Sequence, residues 1–412
     1  MQILDPLKTL RERLFARLYI AQGISLIGDS ISWVGIALLA YEFGGKESSK
    51  ILATALTLRV TAFVLFGSYA GIIADTFSRK TIMIVTNSFR MIIVLSFAFV
   101  TAVWQLYILI FLLNIFNAFF SPAYKASIPQ LISKKENYAD AIALSNATWQ
   151  VLGVAGPGLA GVLAAVWGSR QIFFVDAFSF LISSSIIFFI PISKVTDELK
   201  RFSFSIASAW NDMKTGTKLV FGNPPVRFAL VVELASALAG AQVLVNTIGH
   251  IKGDLMLGDD EYGFIMAAFG AGATIAAFSS STVDKSKNRT GLIISGALMI
   301  GTAVSFSNFV PFGVLTFLWV IAGLGLSYAE MPSQILIAEN ISKDQQGKAY
   351  GSHFAWTHVW WAMGYSFAGL TGTYFKGYEF LAGGLISVVF TIIVIIHRYR
   401  KSSQVRPHDP GF

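Results

Sequence analysis

Cysteine is absent from all 412 residues, which excludes disulfides, thiolate nucleophiles and Cys-ligated metals. Charge is scarce as well: Asp, Glu, Lys and Arg make up 13% of the chain, against 54% hydrophobic residues. A soluble domain carries about 25% charge, so the composition points to a polytopic membrane protein and not to two or three soluble domains. The chain lacks a phosphate loop of the Gly-x-x-x-x-Gly-Lys-Ser/Thr type, a His-x-x-x-His pair with its Glu, and Gly-x-Ser-x-Gly. No enzymatic activity, cofactor or metal is therefore expected, and any uphill step has to draw on an ion gradient. Residues Met1 to Leu14 are polar and basic, with neither an apolar core nor a small-residue cleavage site. No removable signal peptide is expected there, and the first apolar run should act as the insertion signal.

What the chain has is apolar runs. A bilayer core about 30 Å thick asks for about 20 apolar residues per helix. Twelve runs meet that length, at 18–42, 51–74, 80–101, 104–125, 141–166, 171–191, 226–248, 260–281, 290–309, 312–337, 348–371 and 379–397. They fall as six, a break and six. The expected division is an N-terminal six-helix bundle over 1–192, a cytoplasmic linker over 193–225, and a C-terminal six-helix bundle with a short cytoplasmic tail over 226–412. Pro224-Pro225 should stop any helix before the seventh run. Within the linker Ile206, Trp210, Met213, Thr217 and Val220 recur at helical spacing. They describe either an amphipathic helix lying on the inner headgroups or the bundle floor, or a solvated tether.

A net charge of +8 also fits a nucleic-acid partner, but the placement of the cations argues otherwise. With the N-terminus inside, Lys46, Lys50, Arg170, Lys252 and Lys376 fall on the outer side and Arg59 and Arg90 within runs, leaving the rest of the 31 Lys and Arg on the inner side. That bias sets both termini in the cytoplasm. Basic charge here fixes topology, so nucleic acid is not an expected partner.

The two sets of six are weakly self-similar. Asp284, in Asp284-Lys285-Ser-Lys287-Asn-Arg289, lies 209 residues after Asp75, in Gly71-Ile-Ile-Ala-Asp75-Thr-Phe-Ser-Arg79-Lys80. Both stretches sit at the inner end of an even-numbered run and lead into cations. The same offset carries Ser133-Lys134 onto Ser342-Lys343, and Pro122 falls one residue short of Pro332. Such repeats mark duplicated transporters.

Twelve spans in two related halves, with Gly71-x-x-x-Asp75-x-x-x-Arg79-Lys80 between the second and third, resemble the major facilitator superfamily. The stretch Phe120-Ser-Pro122-Ala-Tyr-Lys125-Ala-Ser-Ile-Pro129-Gln-Leu, continued through Ala141, Asn146 and Gly153-Val-Ala-Gly156-Pro157-Gly158-Leu-Ala-Gly161, is similar to its enterobactin-exporter and macrolide-efflux branch. The resemblance covers essentially the whole chain. It implies an all-α membrane protein of 12 transmembrane helices in two pseudo-twofold-related six-helix bundles, monomeric, in the bacterial cytoplasmic membrane. It also implies a conformational gate at Gly71, Asp75, Arg79 and Lys80, repeated at Asp284, Lys285 and Arg289. In the family the counterpart of Asp75 pairs with loop cations and caps a helix end when the transporter faces outward. Thr76 and Ser78 depart from the Arg and Gly usual at those places. Gly153, Gly156, Pro157 and Gly161 resemble an exporter signature, and such residues let a helix bend and pack closely; ordinary tight packing is the competing reading.

Charges at hydrocarbon depth are costly and so are functional candidates. Asp29 and Arg90 lie at similar depth in the first and third runs, with Arg59 about 7 Å farther out at 1.5 Å per residue. An Asp29 ion pair with one of them is expected, either as a coupling element or as a static pair. Glu233 and Glu330 have no intramembrane Lys or Arg in their own half. An unpaired carboxylate in a low dielectric is readily protonated, which suits proton coupling. Asp176 is expected to be structural.

A substrate cavity is expected among Asn114, Asn117, Asn146, Gln150, Gln242, Asn246 and Gln334. His353, Trp356 and Trp360 in the eleventh run extend it, belonging with Thr357 and Trp361 to a stripe at i, i+3, i+4, i+7 and i+8. Interhelical hydrogen bonding and aromatic packing are the competing readings. The expected function is proton-coupled export of an amphiphilic small molecule, such as a siderophore or drug, by alternating access. The partners are then protons, the small molecule and the lipid bilayer. Import of a siderophore or nutrient, and a non-transporting membrane sensor or lipid-handling protein, are the alternatives.

Overall fold

The computed structural model describes residues 6–132, 166–192, 206–283, 289–342 and 345–404, with scattered positions between 137 and 164. Every regular element among the described residues is helical. The helices are α1 (Arg13–Gly44), α2 (Ser48–Thr76), α3 (Arg79–Phe97), α4 (Val103–Ser127), α5 (Ile172–Phe188), α6 (Ile206–Gly222), α7 (Pro224–Gly249), α8 (Asp259–Val283), α9 (Arg289–Phe306), α10 (Phe312–Asn340), α11 (Gln346–Tyr374) and α12 (Glu379–Gln404). Apart from α6, which lies in the linker, each matches one expected run. The fifth run, 141–166, falls mostly outside the described residues.

The elements follow from the apolar runs because a helix satisfies its own backbone, which is what hydrocarbon demands. Phe99, Trp104, Phe178, Phe189 and Phe317 stay on the exposed surface, as side chains facing lipid can. Seven stretches of the described residues are long and apolar enough to cross a membrane on those grounds alone, the first running from Arg13 through α1 into α2. α11 is not among them; its histidines, glycines, serines and threonines dilute its apolar content.

One boundary differs from expectation. Pro224 and Pro225 open α7 instead of preceding it, and Asn223 caps that helix by accepting from the Val226 N–H at 3.3 Å. Proline suits the first turn, whose N–H groups have no partner within the helix.

Packing repeats between the halves. In the first, α2 packs on α4, α1 on α5, and α3 on both α4 and α5; in the second, α8 packs on α10, α7 on α12, and α9 on both α10 and α12. Since α5 is the sixth run, the two patterns are the same. The halves meet where α2 packs on α11 and α7, and where α1 touches α7.

The two ends of the molecule differ. The end bearing the α2–α3 turn and α6 is called the linker end; the opposite end, with the α1–α2, α7–α8 and α11–α12 turns, is the far end. At the far end one apolar core runs through both halves, from Leu39, Leu52 and Phe97 to Val245, Ile248 and Tyr365. At the linker end the described cores are separate: Phe15, Leu18, Met83 and Tyr124 in the first half, Val220, Val226 and Ile337 in the second. The bundle is thus joined at the far end and parted at the linker end.

α6 is docked on α11 at the linker end. Thr217 and Ser352 share a hydroxyl hydrogen bond of 2.9 Å, Lys348 meets Asp212 at 2.9 Å, and the Trp356 indole donates to Thr217 at 3.2 Å. Gly216 permits the approach, since a Cβ there would collide with the Lys348 carbonyl.

Candidate functional site

Among the described residues, each half holds a buried polar set with an acid paired to a basic side chain between its helices. In the first, Asp29 on α1 accepts from Arg90 Nη2 on α3 at 2.6 Å. Arg90 Nη1 donates to Asn87 at 3.0 Å, Asn87 donates in turn to Ser183 at 3.1 Å, and the guanidinium lies over Phe180 and Phe120 with its carbon 4.1 and 5.1 Å from the ring centroids. The side chain of Arg90 is 3% exposed and that of Asp29 is 20%, so the carboxylate is the more accessible partner. Of the two cations that depth allowed, Arg90 takes Asp29. Arg59 instead lies 4.4 Å over the Trp33 ring, one helical turn beyond Asp29. Asp176 on α5 completes the set: it accepts from Ser32 and, at 3.0 Å, from Ser179. Gly28 makes room for it, because a Cβ at that position would strike both Asp176 and Ser179.

In the second half Glu233 on α7 meets His353 Nε2 on α11 at 3.2 Å, with both side chains 4% exposed. His353 Nδ1 lies 3.4 Å from Gln334 Nε2 on α10. Glu330, one turn before Gln334, interacts electrostatically with Glu233 and with the Trp361 side chain. Three helices thus converge on a carboxylate–imidazole pair with a second carboxylate close by. Glu233 is paired and enclosed, and His353 faces that carboxylate. The run containing each residue was legible, but not how its helix is rotated.

The cavity candidates have the following partners. The Trp356 and Trp360 indoles donate to Thr217 at 3.2 Å and to the Leu230 carbonyl at 3.1 Å, so these rings pack on α6 and α7. Asn114 is buried and donates to its own helix at Ile110, 2.7 Å away. Asn246 donates to Gln242 at 2.6 Å and to the Ala368 carbonyl at 3.1 Å, while Thr371 donates to Gln242 at 3.0 Å. Gln242 and Asn246 therefore tie α7 to α11, because a buried amide takes the nearest partner. Asn117 is half-buried on α4. Asn146, Gln150, Gly153, Gly156, Pro157 and Gly161 lie outside the described residues, as do Asp284 and Lys285.

The gate residues show a repeat. Gly71 and Asp75 lie in the closing turns of α2. Arg79, opening α3, donates to the Ala126 carbonyl at the end of α4 at 2.6 Å, and Lys80 lies 5.3 Å from the Phe188 ring centroid. Arg289, opening α9, is paired with Glu339 at the end of α10. In each half the same cation ties the start of one helix to the end of the next, where the carbonyls are unpaired and the dipole favours positive charge.

Sequence reasoning missed the far-end closure. Lys376 pairs with Glu47 at 2.7 Å across the two halves, and Lys252, paired with Asp259, lies 5.3 Å from the centroid of the Tyr41 ring. A Cβ at Gly372 would collide with Ser49, so the helices are in close contact there. The signal is the outer-side lysines, whose placement by itself speaks only to topology.

Residues 4–340 match the family described as transmembrane secretion effector. The chain is 24% identical over 400 residues, 93% of both sequences, to the MFS-type transporter YfiS of Bacillus subtilis. It is 22% identical over 346 residues to macrolide efflux protein A of Streptococcus pyogenes, covering 82% of this chain and 84% of that one. In fold it is similar to the nucleoside transporter NupG, with a TM-score of 0.71 at 14% identity, covering 93% of this chain and 98% of that one. It is also similar to a bacterial homologue of the human lysosomal transporter Spinster, with a TM-score of 0.72 at 13% identity, covering 94% of this chain and 96% of that one.

Proposed function

Because the chain belongs to the major facilitator superfamily, as a member of its transmembrane secretion effector family, we propose that this multi-pass membrane transporter is a proton-coupled exporter of an amphiphilic small molecule. The substrate class is a drug of the macrolide kind or a siderophore; the membrane is the bacterial cytoplasmic one, with the linker end inside. The chain works as a monomer whose two six-helix halves, 1–192 and 226–412, rock about the central site and are joined by the linker 193–225.

The observation that carries proton coupling is the Glu233–His353 pair at 3.2 Å, with Glu330 beside it. Neither of its members bears a permanent charge, and each changes charge by taking or giving one proton. With Glu233 ionised and His353 protonated the pair ties α7 to α11. A proton on Glu233 removes the carboxylate charge and loosens that tie. Because α11 also packs on α2 of the other half, loosening it weakens the contact between halves. A difference of about 1.4 kcal/mol between the two conformers shifts their ratio tenfold, within reach of one buried ion pair. Substrate entering the parted linker end would favour release of that proton inward, and the reversed movement would carry substrate out. Macrolide efflux by a relative covering most of the chain supports the direction and the substrate class.

The test is uptake of a macrolide probe into everted vesicles or proteoliposomes under an imposed pH gradient, acid inside. Uptake should collapse when the gradient is dissipated, and Glu233→Gln with Glu330→Gln should abolish it. Gradient-independent uptake, or normal uptake by that double variant, sinks the reading.

A further inference from the structure

His250, Asp254 and Glu379 form a cluster at the far end that the transport reading does not use. His250 and Asp254 open and close the five-residue π-turn His250–Asp254 after α7, and Glu379 is the first residue of α12. Glu379 lies 125 residues after Asp254, which is why no local spacing reveals the cluster. His250 Nδ1 lies 3.1 Å from Asp254 Oδ2 and 3.9 Å from Glu379 Oε1, and one ligand atom from each of the three residues falls within 4.8 Å of the others. In a tetrahedral site with bonds of about 2.1 Å the ligand atoms stand about 3.4 Å apart, a value that these two separations bracket.

One feature besides the geometry indicates a ligand. Glu379 is 5% exposed and is held by Asn308, whose Nδ2 donates to Oε1 at 3.0 Å and whose Oδ1 accepts from the Phe380 and Leu381 N–H groups at 3.0 Å. Its other oxygen, Oε2, is buried with no hydrogen-bond partner, an expensive state for a carboxylate. A mixed nitrogen and oxygen donor set suits a first-row transition metal better than Mg²⁺. Asn308 supplies the outer hydrogen bond that orients a ligating carboxylate. The Asp254 side chain is 43% exposed and gives access from the surface.

We propose that His250, Asp254 and Glu379 bind a divalent transition metal ion, of which zinc is the representative. The ion ties the α7–α8 turn to the start of α12. Glu379 follows Lys376 by three residues, so occupancy also steadies the turn that carries the contact with Glu47 and favours the joined far end.

The test is calorimetric titration of tag-free, chelator-stripped full-length protein with ZnCl2, and with MgCl2 for comparison. About one zinc ion per chain should bind, at least tenfold more tightly than magnesium, and raise the thermal midpoint. Glu379→Gln and His250→Ala should each weaken zinc binding by about tenfold or more. Asp254→Asn changes a half-exposed group, so it reports the same loss in a protein whose core is untouched. Absence of zinc binding to the parent overturns the proposal. So does zinc binding that survives in both Asp254→Asn and Glu379→Gln, which would place the ion on histidines elsewhere.

Discussion

In the first half Asp29 meets a guanidinium at 2.6 Å, whereas in the second Glu233 meets an imidazole at 3.2 Å. The halves share their helix pairing, so the difference lies in the chemistry each has kept inside it. Arginine holds its charge at any relevant pH, and a set built on it is a fixed anchor. Histidine and glutamate both titrate, and a set built on them can change state within a transport cycle. In the proposed function the first half is the anchor and the second the switching half.

The strongest way to break that comparison is Arg90→Ala. It leaves Asp29 and Asp176 in one buried neighbourhood without their cation, and removing one partner of a buried pair costs about 3–5 kcal/mol. Unfolding in detergent, followed by tryptophan fluorescence, should show that loss, while Arg59→Ala, which removes the contact with Trp33 and a longer-range attraction to Asp29, should cost about 1 kcal/mol or less. Equal costs for the two variants would deny Arg90 its anchoring role.

Next in size is the switch. Glu233→Gln keeps the shape and a hydrogen bond to His353 but cannot ionise. Proton-driven uptake should fall at least about tenfold, with thermal stability changed much less than in Arg90→Ala. If Glu233→Gln instead unfolds the protein and residual folded material transports normally, the pair is structural and the two halves are alike.

How far the sequence disclosed this contrast can be argued from its residues. The helix limits were legible because bilayer thickness sets run length, and α10 begins at Phe312 as expected. The Asp29–Arg90 pair was legible in part, because depth along two helices is additive in 1.5 Å steps. What depth does not supply is rotation. Gln242 and Asn246 share a face at i and i+4, but whether that face meets a cavity or α11 depends on neighbours far along the chain. The same limit hid the Glu233–His353 pair, whose members are 120 residues apart, and the Glu47–Lys376 contact, which joins two turns that each read only as polar. The repeat was more informative: the offset of 209 that relates Asp75 to Asp284 brings Arg79 to within one residue of Arg289, and both cations reach the end of the following helix.

A smaller effect is expected where the linker touches the switching half. α6 packs on α11 next to His353, through Ser352 and Lys348. Gly216→Leu forces a side chain against the Lys348 carbonyl and should cost about 1–3 kcal/mol of local packing. Limited proteolysis should then cut α6 faster while the helices of the first half stay protected. Unchanged protection of α6 would mean that the Gly216 contact yields freely.

The smallest effect belongs to the far-end pair, since Glu47 and Lys376 are both about half exposed and water competes for them. Their contribution should appear as a bias and not as stability. Glu47→Lys places like charges across the joined ends, and adding Lys376→Glu restores the attraction in reverse. The cysteine-free chain makes this measurable, because Ser49→Cys introduces a single thiol that is buried only while the far end is joined. Labelling of that thiol by a membrane-impermeant maleimide should speed up in Glu47→Lys, return toward the parent rate in the double swap, and lose the difference as salt screens the pair. The direction of the change is what sharpens the comparison between halves. If opening the far end also alters the pH dependence of uptake set by Glu233, the latch and the switch are one coupled device. If labelling changes and that dependence does not, the far end is a passive closure, and the asymmetry between an anchoring half and a titrating half alone sets which way the bundle faces.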